Sequence, residues 1–295
     1  MRSFDGFWPA LITPYTPDDQ VNLTVVRDLV DYHLGKGVTG FYLCGSTGEG
    51  LFLSLAERRA IVETVMERVA GRALVIVHVG AASVNDAVAL AQHAAASGAD
   101  GISSILPPVV YDGRGIAPYL ARVAAAAPDL PFLPYLFGGT RDSLALMRDL
   151  ADVPNFAGTK YYGPNMYEMS QIAAFRDEGW TVFVGMDEQA ALGLMYGAHG
   201  IIGSSLNFMP GVYRCILDRV RGGELEAALD MQRRSNAIIG LMHSYGYVGC
   251  MRVILAHLGV DCGAPRLPNL ALPAAQRERF LAELADAGFA ELAAL

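Results

Sequence analysis

Along the first two-thirds of the chain, short apolar runs alternate with longer stretches whose apolar positions recur every three or four residues. The runs fall at 7–12, 40–44, 73–79, 101–105, 131–135, 156–160, 181–185 and 200–203. Between them, 24–35, 54–69, 83–97 and 166–178 carry the one-sided pattern of surface helices. Near-continuous apolar strands separated by helices predict a parallel sheet buried on both faces.

A small repeat sharpens this. Gly37-Val38-Thr39-Gly40, Gly98-Ala99-Asp100-Gly101 and Gly197-Ala198-His199-Gly200 each precede an apolar run. Each reads as a helix C-cap glycine and a tight loop into the next strand. Their separations are about two and three units of ~30 residues, the length of one βαβ crossover. About eight such units before residue 205 predict an α/β fold of the (β/α)8 TIM-barrel type rather than a doubly wound sheet. Helical patterns then follow at about 209–222, 224–245, 248–258 and 273–287. The expected organisation is a barrel domain over 1–222 and a C-terminal helical extension, 223–295, packed on it.

Composition narrows the partners. The chain has 295 residues, 53% hydrophobic, with a net charge of −8 and a mean hydropathy of +0.30. No basic block is present, which argues against nucleic acid and anionic membrane surfaces. No apolar run approaches the ~20 residues of a membrane span. Residues 1–15 lack the basic and apolar regions of a secretory signal. Cys44, Cys215, Cys250 and Cys262 share no CxxC spacing and read as free thiols of a cytoplasmic protein. The six histidines show no metal-ligand spacing and read as structural, so no metal is expected.

In a barrel, chemistry gathers at the C-terminal strand ends. Those ends carry Thr13, Gly45-Ser46-Thr47-Gly48-Glu49, His78, Pro107-Pro108, Tyr135, Lys160, Gly185-Met186-Asp187-Glu188 and Gly203-Ser204-Ser205. The glycine-rich loop lacks the Gly-Lys-Ser/Thr end of a P-loop. Its hydroxyls and backbone N–H groups suit a small carboxylate. The alternative is a tight turn in which Ser46 and Thr47 cap the helix starting near Ser54. Of 22 basic residues only Lys36 and Lys160 are lysine. Lys36 reads as a solvated helix C-cap. Lys160 closes an apolar run, where desolvation would make a neutral, nucleophilic amine accessible. It reads either as a Schiff-base amine or as the partner of Glu49, Asp187 or Glu188. Tyr135, at the preceding strand end, can carry protons beside it or serve as a packed tyrosine. Asp187 and Glu188 read equally as binders of polyol hydroxyls or as helix-start charges. The Met and aromatic residues of 231–251 read as helix packing.

Gly45-Ser46-Thr47-Gly48-Glu49, Tyr135, Gly158-Thr159-Lys160 and the early Trp8-Pro9-Ala10-Leu11-Ile12-Thr13-Pro14 together resemble the dihydrodipicolinate synthase/N-acetylneuraminate lyase family of class I aldolases, over nearly the whole chain. The resemblance implies a homotetramer with no metal or organic cofactor. It also implies that pyruvate, or a related 2-oxo acid, is held as a Schiff base on Lys160. Tyr135 would then relay protons, and Ser46 and Thr47 would hold the pyruvyl carboxylate. Tyr111 matches the tyrosine that reaches a neighbouring subunit's site. Gly185-Met186-Asp187-Glu188 and Gly203-Ser204-Ser205-Leu206-Asn207 resemble the neuraminate lyase branch. There Gly185, Asp187, Glu188 and Ser204 would contact the sugar-derived part of the substrate. The implied reaction splits a 2-oxo sugar acid into pyruvate and an aldehyde. Its rivals are condensation, dehydration of a sugar acid, and a non-catalytic barrel that senses a 2-oxo acid. Two departures stand out. The Tyr–Asn–x–Pro motif reads Tyr135-Leu136-Phe137-Gly138, and Tyr162 replaces a small hydroxyl residue, which narrows the pocket.

Overall fold

Eight parallel strands wind into a closed barrel in a computed structural model that describes residues 4–106, 112–137 and 142–295. The strands are β1 (Gly6–Pro9), β2 (Gly40–Leu43), β3 (Leu74–His78), β4 (Gly101–Ser103), β5 (Tyr135–Phe137), β6 (Gly158–Tyr162), β7 (Thr181–Val184) and β8 (Gly200–Gly203). Ladders run β1-β8-β7-β6-β5 and β2-β3-β4. Single parallel bridges close the ring, Ala10 to Tyr42 and Ile105 to Tyr135. The helices between strands are α1 (Leu23–Gly35), α2 (Leu55–Val69), α3 (Val84–Ala96), α4 (Ile116–Ala125), α5 (Ser143–Asp149), α6 (Met166–Ala173) and α7 (Ala190–Met195). Helix α8 (Pro210–Arg221) follows β8 and packs on β1, completing the outer ring.

Period-two alternation along the strands makes two cores. Phe7, Phe41, Val75, Val77, Val182, Val184 and Ile201 face the helices. Phe4, Trp8, Leu74, Ile76, Leu133, Phe183 and Ile202 fill the barrel axis with Ala10 and Tyr42. The axis is therefore an apolar plug, and polar inward positions sit only toward its C-terminal end. The three glycines of the repeat, Gly37, Gly98 and Gly197, have φ of +74°, +79° and +95°, the left-handed C-cap the sequence predicts.

Two strands depart from the predicted bounds. The continuous part of β5 is Tyr135–Phe137, while the predicted 131–135 run pairs through the single bridges of Phe132 to Ile102 and Phe156, because Pro131 and Pro134 offer no N–H to a neighbour. β6 runs to Tyr162, so Lys160 lies in mid-strand instead of at its end. Helix α6 stops at Ala173, short of the predicted 178.

After α8 come α9 (Leu225–Tyr245), α10 (Tyr247–His257), α11 (Ala274–Asp286) and α12 (Phe289–Ala294). α9 and α10 meet at a bend of 118°. Lys36 is the C-cap of α1, as the sequence predicts, but it is half-buried rather than solvated: its Nζ donates to the carbonyl of Ala293 at 2.9 Å and ties α12 to the end of α1. Among the described residues no single helix is long and apolar enough to cross a membrane. All four cysteines are free thiols.

Candidate active site

The β5–β6 register sets Tyr135 directly opposite Lys160. Both side chains point inward onto the apolar plug and are almost fully buried. Lys160 Nζ lies 4.4 Å from the centre of the Tyr135 ring and 4.7 Å from that of Tyr42 on β2. Tyr42 was not read from the sequence; its hydroxyl bonds to Ser103 Oγ at 3.0 Å. Among the described residues Lys160 forms no ion pair. Burial therefore dominates, and the pKa of Lys160 falls from 10.5 to about 8, with Asp187 pulling weakly the other way. A useful fraction of neutral amine exists near neutral pH. Burial also holds the Tyr135 and Tyr42 phenols above their ordinary value, so both stay protonated.

The sequence offered Glu49, Asp187 or Glu188 as a salt-bridge partner for Lys160, and none fills that role. Glu49 turns away and pairs with Arg252 of α10, Nη2 to Oε1 at 2.7 Å. Glu188 lies 3.6 Å from His243 of α9. Asp187 is buried, with Oδ2 accepting from Ser205 N (2.7 Å) and Ser205 Oγ (2.6 Å). Its Oδ1 has no hydrogen-bond partner among the described residues. Burial raises its pKa from 3.8 to about 6, opposed by the Ser205 bonds. Gly203 makes this geometry possible, because a Cβ there would stand 1.5 Å from Asp187 Oδ1. At Gly185 a Cβ would stand 3.0 Å from Lys160 Cε. These two glycines leave room for the acid and the amine.

The 45–50 loop lies beside them. Ser54 is itself the cap of α2, in a reciprocal capping box with Glu57. Ser46 and Thr47 are thereby free of the capping role, and Ser46 is exposed. Thr47 Oγ1 is 2.7 Å from Ser204 Oγ, which lines the cavity together with Tyr247 of α10. Thr47 and Ser204 thus join one hydroxyl-bearing rim. A cavity of about 210 Å³ opens here, lined by Tyr162, Gly185, Asp187, Glu188, Ser204, His243 and Tyr247. Tyr162 packs on Phe137 and meets Tyr135 edge-on, walling the cavity with aromatic rings.

His243, read from the sequence as structural, and Tyr247, read as helix packing, do pack on each other with ring centres 5.0 Å apart, and both also line the cavity. His78 is structural as expected: its Nε2 accepts from Ile105 N, and burial holds its pKa far below 6.5. Tyr111, Pro107, Pro108 and Gly138 lie outside the described residues. Among the described residues no group of three or more His, Cys, Asp or Glu converges as a metal site would.

An amine buried at the C-terminal mouth of an eight-stranded barrel, beside a phenol and a hydroxyl-bearing loop, is the arrangement expected of an aldolase-type barrel lyase. The chain belongs to the Dihydrodipicolinate synthetase family, whose model matches residues 3–287. It is 30% identical over 292 residues to an N-acetylneuraminate lyase of Danio rerio, covering 94% of each chain. It is 32% identical to an N-acetylneuraminate lyase of Rhizobium meliloti, over 90% of this chain and 89% of that one. The solved wild-type sialic acid aldolase of Ruminococcus gnavus superposes with a TM-score of 0.91 at 29% identity, over 97% of this chain and 98% of that one. The protein is an enzyme of the lyase class, N-acetylneuraminate lyase-like.

Proposed function

We propose that Lys160 forms a Schiff base with pyruvate and that the enzyme cleaves a 2-oxo sugar acid to pyruvate and an aldehyde. The observation that carries this is the Lys160 amine, buried between two tyrosine rings and without an ion pair among the described residues. The amine nitrogen adds to the keto carbon, and the carbinolamine loses water to give a protonated imine. Loss of the C4 hydroxyl proton breaks the C3–C4 bond and releases the aldehyde. The electron pair of that bond passes to the iminium, leaving an enamine. Protonation of the enamine carbon and addition of water return pyruvate and the free amine. Tyr135, protonated and against the amine, relays these protons. Ser46 and Thr47 hold the carboxylate. Gly185, Asp187, Glu188 and Ser204 receive the polyol half. Residues 223–295 act as an extension on a barrel of 1–222, and the protein works as a cytoplasmic homotetramer.

Borohydride trapping with pyruvate, followed by peptide mass spectrometry, tests the reading. A pyruvyl adduct confined to Lys160 is expected, with a trapping rate that rises as pH passes through about 8, where the amine loses its proton. Failure of pyruvate to label Lys160 would sink the mechanism. Thr47→Val should raise the half-saturating pyruvate concentration by roughly tenfold, the value of one hydrogen bond to a carboxylate. An unchanged half-saturation would remove Thr47 from the carboxylate site.

A further inference from the structure

We infer that Arg252 is a positioning residue for the carboxylate-binding loop, so that affinity for the 2-oxo acid is set from the C-terminal helices. The inference rests on the Schiff-base reading above.

The 45–50 loop has three glycines in six residues, and such a segment does not hold one shape unaided. Its one acidic residue, Glu49, sits at φ +56°, a conformation that costs a non-glycine residue energy and persists only where neighbours impose it. Those neighbours come from the far end of the chain. Both Glu49 oxygens are occupied, Oε1 by Arg252 Nη2 at 2.7 Å and Oε2 by the backbone N of Arg266 at 2.9 Å. The Arg252 guanidinium also donates to Thr13 O at 3.0 Å and to Cys262 O at 2.6 Å. Thr13 in turn donates its hydroxyl to Gly48 O at 2.6 Å. One planar fork therefore joins the end of β1, the loop and the segment after α10. A lysine ammonium, a point donor, cannot span these acceptors at once.

The other end of the loop faces the same helix. Ser204 Oγ lies 2.7 Å from Thr47 Oγ1, and Tyr247 of α10 lines the cavity with Ser204. Helix α10 thus grips one end of the loop through Arg252 and walls the cavity beside the other through Tyr247. Arg252 has an electrostatic duty as well. Glu49 is a buried anion beside a site for a second anion, and in a water-poor surrounding that repulsion is strong unless a cation cancels it. With the loop fixed and Glu49 neutralised before substrate arrives, carboxylate binding carries little ordering cost.

Two full-length variants test this, Arg252→Lys, which keeps the charge but loses the fork, and Glu49→Gln/Arg252→Met, which removes both charges together. Trapping is measured with pyruvate and with hydroxyacetone, which offers a carbonyl but no carboxylate. The half-saturating pyruvate concentration should rise about tenfold in both variants, with labelling at saturation and hydroxyacetone labelling at the wild-type level. Equal losses with both carbonyls would reduce Arg252 to general support of the fold and overturn the inference, as would unchanged pyruvate affinity in both variants. A wild-type enzyme that pyruvate does not label at Lys160 would overturn the Schiff-base reading first, and this inference with it. That failure is told apart because it appears before any substitution.

Discussion

Replacing Lys160 by Met should abolish turnover and borohydride trapping while raising the melting temperature. The loss of activity is expected to exceed about a thousandfold, since no other group can carry the covalent intermediate. The gain in stability comes from the same burial that makes the amine reactive. Folding takes an ammonium with an ordinary pKa of 10.5 into a site where it titrates at about 8. Below pH 8 the folded state bears the full cost of that desolvation, on the order of 3 kcal/mol. Between pH 8 and 10.5 the cost shrinks, because the folded amine is already neutral while the unfolded one is still charged. Above 10.5 it is gone. A methionine of similar length removes the cost and should raise the melting point by several degrees at pH 7, with the advantage fading as pH rises above 8. A lysine kept as the partner of a buried carboxylate would behave in the opposite way, because its loss would strand an unpaired charge. Calorimetry at pH 7 and pH 10 separates the two. A destabilised Lys160→Met variant would return Lys160 to an ion-pair role.

The order of strands and helices was legible because each strand is buried on both faces and each helix on one, so the apolar pattern changes period at every junction. Lys160 was legible as an exception, one of two lysines in a chain that otherwise uses arginine. Bounds slipped where backbone chemistry overrides hydropathy. Pro131 and Pro134 interrupt the pairing of an apolar stretch that bridges its neighbours only at Phe132, and the continuous strand starts at Tyr135. Tyr161 and Tyr162 carry β6 beyond Lys160 because aromatic residues suit a pleated surface. The pairing of Glu49 with Arg252, 203 residues apart, was beyond any local pattern. The same holds for His243 and Tyr247, whose spacing suits helix packing. Only the docking of α9 and α10 over the barrel mouth turns them toward the site.

Asp187→Asn should separate the two halves of the reaction. With pyruvate alone the Schiff base needs only the amine, the phenol and the carboxylate loop, so trapping should persist. Its pH profile should nevertheless move. The Asp187 carboxylate raises the pKa of Lys160, and removing the charge lets burial depress that pKa further, so the rise in trapping should shift below pH 8. Cleavage of a 2-oxo sugar acid should suffer far more. Ser205 occupies Oδ2 and leaves Oδ1 as a buried acceptor at the cavity wall, suited to a substrate hydroxyl. A hydrogen bond to a charged group is worth about 1.5–3 kcal/mol, so kcat/KM for cleavage should fall roughly tenfold to a hundredfold. The amide keeps an oxygen for Ser205, which limits damage to the fold. An unmoved trapping profile would mean that the Asp187 charge does not act on Lys160. Unchanged cleavage would confine the carboxylate to holding Ser205. Loss of trapping together with cleavage would place Asp187 in the imine chemistry itself, upstream of the sugar-binding wall.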